Sequence, residues 1–182
     1  MNKIISEIRS WAGSIGIAFL CTLLIGIFII QPTNVLGHSM DPTLHSEQRI
    51  FVSKISHTFQ QEPNYGDIVV IDSRVARDRS VVDDVLEHPL IALLRGEADH
   101  HFYIKRVIGK PGDVLEFKDH RVYRNGEPVD EPYLKERMNY TSTEKIVVPE
   151  KHLFVMGDNR NNSKDSRNIG TIPLEHVLGV KI

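Results

Sequence analysis

A single cysteine, Cys21, is present, so no disulfide can form within the chain and cysteine usage is silent on redox compartment. Neither a His-Glu-x-x-His nor a Cys-x-x-Cys pattern occurs, and no metal or other cofactor is expected. Of nine histidines, only His100 and His101 are adjacent. Charge of neither sign dominates. With 22 Lys+Arg against 24 Asp+Glu the net charge is -2, which gives no footing for a nucleic-acid groove or a polybasic partner. Repeats and low-complexity tracts are absent too. What remains is 182 residues, enough for one domain with a real core.

The hydrophobic content is unevenly placed. Trp11 to Ile30 (WAGSIGIAFLCTLLIGIFII) carries no charge. As a helix this run spans roughly 30 Å, the thickness of a bilayer's hydrocarbon core. Trp11 sits where an interfacial aromatic is expected. Lys3 and Arg9 precede the block, and no Lys or Arg follows it until Arg49. That bias puts the N-terminus in the cytoplasm and the bulk of the chain outside. A cleaved secretory signal has a shorter apolar centre and a small-x-small end; here Gln31-Pro32-Thr33-Asn34-Val35-Leu36 follows instead. The expected organisation is a cytoplasmic N-terminus (1–10), a transmembrane anchor (11–30) and an extracytoplasmic domain (31–182).

Gly37-His38-Ser39-Met40-Asp41-Pro42-Thr43-Leu44 comes next. Glycine permits unusual backbone angles and proline fixes its own, so Ser39 is expected on a stiff loop, as a nucleophile requires. Even fully extended, the nine residues from Ile30 keep Ser39 within ~30 Å of the end of the apolar run. Beyond it the pattern turns β-like. Strands are predicted at 49–54, 67–72, 101–109, 114–117 and 121–124, with Asn125-Gly126 as a hairpin turn and Glu127-Pro128-Val129 as its return arm. Residues 130–143 are predicted as polar loop, 145–148 and 152–156 as strands, and 170–182 as a closing strand pair or a strand plus turn. Residues 73–101 are rich in charge and predicted as a surface insertion with one short helix, Pro89 interrupting it. The whole reads as a mainly antiparallel β domain behind an anchor.

A serine hydroxyl needs a base. Asp41 stands where a Gly-x-Ser-x-Gly elbow needs glycine, and His38 is adjacent to Ser39 in the chain, which sends the two side chains apart. Ser142-Thr143-Glu144-Lys145 fits Ser-x-x-Lys but lacks the Lys-Thr-Gly element that accompanies it. Lys105 is the odder lysine, because it interrupts the apolar run Phe-Tyr-Ile-Lys-Arg-Val-Ile. By period two, Tyr103, Lys105 and Val107 share one face and Ile104, Arg106 and Ile108 the other. The pattern leaves open which cation is buried, or whether the strand is an exposed edge. A lysine stripped of water has a depressed pKa and becomes a base. The cluster Gly157-Asp158-Asn159-Arg160-Asn161-Asn162-Ser163-Lys164-Asp165-Ser166-Arg167 directly follows an apolar strand and offers Asp165 with Arg167 as a charged pair and Ser163 as a partner for an amine.

Together, residues 37–44, Tyr-Ile-Lys-Arg-Val-Ile-Gly-Lys-Pro-Gly-Asp (103–113) and residues 157–167, in this order behind an anchor, resemble the bacterial type I signal peptidases, membrane-anchored Ser–Lys proteases. The resemblance covers nearly the whole chain except 73–101. It implies a β-rich catalytic domain that removes signal peptides from exported preproteins after small-x-small sites, with preproteins and membrane lipid as partners. Ser39 matches the nucleophile, Lys105 the general base and Ser163 the serine that orients the lysine amine. Asp165 and Arg167 match the pair bracing that loop. Gly37 and Met40, flanking Ser39, count as supporting residues, and the Ser39 amide as an oxyanion donor. Some members carry a serine two positions before the nucleophile as a second donor; here that position is Gly37. The competing expectations are an anchored module without catalysis and a self-cleaving repressor, the latter needing a DNA-binding N-terminal region.

Overall fold

A computed structural model describes residues 2–96 and 101–182. Glu97, Asp99 and the His100 of the histidine pair lie outside the described residues. The chain opens with α1 (Asn2–Phe28). Its segment Arg9–Phe28 has a mean hydropathy of 2.1 and is almost wholly uncovered. Trp11, Ile15, Ile17 and Phe19 are all exposed. A helix apolar on every side and exposed along nearly all its length, with only its last turn packed on the domain at Ile27, does not suit water, and this one is long and apolar enough to cross a membrane. The helix stops two residues short of the end of the apolar run, because Ile30 is already paired into a sheet.

That sheet has seven strands: β1 (Ile30–Asn34), β2 (Arg49–Ser53), β3 (Ile68–Asp72), β4 (Phe102–Gly109), β9 (His152–Met156), β10 (Ile172–Pro173) and β11 (Val177–Lys181). Their spatial order is β1-β2-β11-β3-β4-β9-β10. A second sheet holds β5 (Val114–Lys118), β6 (Arg121–Arg124), β7 (Glu127–Pro128) and β8 (Ser142–Val147), in the order β7-β6-β5-β8. Every pairing is antiparallel. The mainly antiparallel β expectation therefore holds. Asn125 and Gly126 both have positive φ (56° and 87°), as a two-residue hairpin turn that follows strand twist requires.

Strand β3 is buried at all five positions because it separates two cores. Ile68 and Val70 pack with Val35, Met40, Leu44, Ile50, Val52 and Leu178. Val69 and Ile71 face Val107, Leu153, Val155, Ile172 and Val177. A third core, including Ile108, Phe117, Met138 and Phe154, lies under the second sheet.

Several elements differ from expectation. Strand β1 was not predicted; it contains Pro32 and sits at the sheet edge, where proline is tolerated. Short helix α2 (Ile55–Thr58) was also missed. Strand β8 starts at Ser142 rather than Lys145, so Ser142 is in a strand and not in a polar loop. The 73–101 stretch carries two helices, α3 (Val81–Leu86) and α4 (Pro89–Arg95), not one. The Asp83 carboxylate accepts from the Ser80 N–H at the start of α3 (2.9 Å), and Pro89 opens α4, where its missing N–H costs nothing.

Candidate active site

The serine loop is held from below and from the side. Met40 and Leu44 are buried in the core beneath it, and the Leu44 N–H donates to the Met40 carbonyl (2.9 Å). Gly37, at φ 87°, makes the turn into the loop, a conformation that a side chain at this position would oppose. Asn159 clamps two successive carbonyls: its N–H donates to Ser39 O (3.0 Å) and its Nδ2 to His38 O (3.0 Å). These contacts leave the Ser39 side chain half-buried with its hydroxyl pointed at one amine.

That amine is Lys105. Its Nζ lies 2.7 Å from Ser39 Oγ and 3.0 Å from the Ile104 carbonyl. Strand β4 is central, between β3 and β9, so the exposed-edge alternative for its two cations falls. Both are accommodated, by different means. Arg106 forms a two-point pair with Asp158 (2.8 and 2.6 Å), with Tyr133 stacked against it. Lys105, 3% exposed, has no carboxylate within ion-pair distance among the described residues. Burial pushes its pKa down from the ordinary lysine value to about 8; the negative charges of Asp165 and Asp158 oppose that fall and Arg167 adds to it.

Asp165 is fully buried beside Lys105 and is already occupied. Arg167 grips it through Nε and Nη2 (2.8 Å each), the Gly157 N–H donates to it (2.9 Å), and so does the Ser163 hydroxyl (2.8 Å). Burial alone raises its pKa, but Arg167 and these donors bring it below the usual carboxylate value. Spent on Arg167, the carboxylate is a weak counter-ion for Lys105, and the amine stays easy to deprotonate. The structure thus brings Ser39, Lys105, Asp165 and Arg167 together. Ser163 joins them through Asp165; among the described residues the Lys105 amine hydrogen-bonds only Ser39 and Ile104.

Three residues lacked individual roles in the sequence reading. Gly157 lies where a Cβ would fall 2.3 Å from Ser163 Oγ and 2.5 Å from Ser39 O, so only glycine fits. Asn159 clamps the serine loop. Arg160, with no side-chain exposure, pairs with Glu131 (2.6 and 3.0 Å). All three belong to the polar cluster after β9, which was the available signal. What each touches was not in it.

A cleft of about 520 Å³ opens from this site, with Ser39 and Lys105 lining it. Val52, Val70, Leu178 and Ile104 make it largely apolar, and β1 borders it. Arg79, Asp84, Glu87 and Lys54 also line it. A largely apolar cleft with a few polar groups suits a ligand.

Comparison with known proteins places the chain in a class, the peptidases. A family model described as signal peptidase, peptidase S26, matches residues 8–182. A signal peptidase I of Bacillus licheniformis is 38% identical over 184 residues, covering 96% of this chain and 86% of the relative. Signal peptidase I S of Bacillus subtilis (strain 168) is also 38% identical, covering 95% and 86%. A probable signal peptidase I-1 of Synechocystis is 34% identical, covering 90% and 74%. A crystal structure of a signal peptidase I from Enterococcus faecalis V583 aligns at 27% identity and a TM-score of 0.45, covering 65% of this chain and 96% of that one. The chain belongs to the signal peptidase family, peptidase S26.

Proposed function

We propose that the chain is a membrane-anchored serine endopeptidase that removes N-terminal signal peptides from exported preproteins after small-x-small sites, with Ser39 as nucleophile and Lys105 as general base. The observation that carries this reading is the 2.7 Å contact between a half-buried hydroxyl and a buried amine whose pKa is pushed down to about 8. Neutral Lys105 takes the Ser39 proton as Oγ attacks the scissile carbonyl. The Ser39 N–H, which has no hydrogen-bond partner among the described residues, donates to the oxyanion; such a donor contributes about 3–4 kcal/mol in other proteases. Protonated Lys105 gives its proton to the leaving amine, then activates the water that releases the signal fragment from Ser39.

In this reading α1 crosses the cytoplasmic membrane with Lys3 and Arg9 inside, and the β domain lies outside. Lipid surrounds α1, preproteins are the substrates, and nucleic acid and metal have no part. Gly37 and Met40 shape the nucleophile loop, and Asp165, Arg167 and Ser163 hold the base side of the site.

The test is preprotein cleavage by detergent-solubilised protein. Ser39→Ala and Lys105→Ala are each expected to abolish it while leaving thermal unfolding cooperative. Full activity in either variant refutes the assignment. Because the base works deprotonated, activity is expected to rise with pH through about 8. Only roughly a tenth of the amine is neutral one pH unit below its pKa. A flat profile from pH 7 to 10, with chemistry rate-limiting, contradicts it.

A further inference from the structure

The cleft holds a second amine that the catalytic reading leaves unused. Lys54 follows directly after β2, is 7% exposed, and lines the cleft. Among the described residues nothing hydrogen-bonds its Nζ. The acids nearby are taken. Asp84 accepts from His57 (2.9 Å) and Arg79 (3.1 Å), and Glu87 is gripped by Arg74 and Arg79. Its Nζ still reaches solvent through the open cleft, and a molecule that fills the cleft removes that water. An ammonium then left without an acceptor is costly, so the filling molecule must bring one.

The position of Lys54 says which part of a substrate that is. Lys54 adjoins Ser53, and Ser53 pairs with Val180, Val180 with Val69, and Val69 with Lys105. Three strand spacings separate the two lysines, roughly 14 Å, or about four residues of extended peptide. The Lys54 N–H also donates to Ile29 O (2.8 Å), and nearby Thr58 Oγ1 donates to Phe28 O (2.9 Å). This end of the cleft therefore abuts the end of α1. A signal peptide whose apolar segment lies in the bilayer enters from that end, so Lys54 meets the residues before the scissile bond. Those residues are apolar, and the acceptors they offer are main-chain carbonyls.

We infer that Lys54 is a substrate-binding residue, whose ammonium donates a hydrogen bond to a main-chain carbonyl about four residues before the scissile bond, where the apolar segment of the signal peptide ends. The inference rests on the proposed peptidase reading. Its function is to hold the substrate in register, so that the small-x-small segment meets Ser39.

Two peptides test it on the full chain in detergent micelles. They share one cleavage site; the long one carries seven residues before the scissile bond and the short one three. Lys54→Met keeps the length and removes the donor. It is expected to raise KM for the long peptide about tenfold, as loss of one charge-assisted hydrogen bond implies, with kcat little changed and the short peptide cleaved as before. Lys54→Arg, which retains a donor, is expected to recover most of the loss. Equal losses on both peptides mark a structural role and overturn the inference, as does no change on either. If the unsubstituted protein cleaves neither peptide, the peptidase reading fails first and this one with it.

Discussion

The site's chemistry turns on how two carboxylates are spent. Asp158 neutralises Arg106, and Asp165 neutralises Arg167, so Lys105 is left among charges that cancel. Arg167 matters to Lys105 in two ways. It repels the ammonium, and it occupies the anion that would otherwise stabilise that ammonium. Both effects lower the lysine pKa, so replacing Arg167 with a neutral residue raises it. Arg167→Gln is therefore expected to move the alkaline rise in activity upward by about one pH unit, cutting the rate at pH 7 about tenfold while the rate at pH 10 approaches that of the parent. A pH–rate profile with chemistry rate-limiting measures this. A uniform loss at every pH indicates damage to the loop instead. Alternation along β4 limited Lys105 and Arg106 to opposite faces. It could not say that both are accommodated inside, because Asp158 is 52 positions from Arg106.

At the scale of elements, the site is a junction between the loop after β1 and the loop after β9. They meet at Gly157, the first residue after β9, which lies against both Ser39 O and Ser163. A methyl group there collides with a backbone carbonyl that cannot rotate away. Gly157→Ala is expected to shift Ser39 by a substantial fraction of an ångström, lowering kcat about a hundredfold, with a fall in melting temperature. Parallel kinetics and thermal melts read the two effects together. Most of these elements were legible in the sequence. Short runs rich in strand-forming residues gave β2, β3, β4, β5 and β9, and Asn125-Gly126 gave the β6–β7 hairpin. Missed elements were those that depend on a neighbour. Strand β1 exists because β2 offers it a full register from Ile30 to Asn34. Helix α5 (Ser166–Ile169) is a single turn that Asp165 caps by accepting from the Arg167 N–H (3.3 Å). The second helix of the 73–101 stretch was lost by reading Pro89 as a stop when it is a start.

Taken whole, the molecule is a long bare helix joined without a linker to a β domain. The hydrogen bonds of Lys54 and Thr58 to the carbonyls of Ile29 and Phe28 tie the domain directly to the helix end. The cleft therefore opens close to the end of the apolar helix, which under the proposed function is where the anchor leaves the lipid. Cys21, the sole cysteine, lies inside the apolar span with its side chain outward, which makes it a probe of that span. In protein reconstituted into vesicles, a charged maleimide is expected to leave Cys21 unmodified until detergent is added, whereas a lipid-soluble maleimide modifies it directly. Rapid labelling by the charged reagent shows that the helix lies in water and removes the anchor.

The sequence by itself determined the apolar helix, the β class of the domain, the hairpin, and the family to which the three motifs point. Each of these rests on local spacing, on composition, or on a run of residues that keeps its order in the chain. Strand periodicity left Lys105 and Arg106 undecided and the resemblance chose Lys105; only the tertiary structure decided that both cations are accommodated inside, that Ser163 gives its proton to Asp165, and that Lys54 lines the same cleft. Those outcomes depend on which charges find partners after the strands pair. Partners 52 or 66 positions apart are chosen by sheet register and by the cost of burying a charge alone, and neither is written in any short stretch of chain.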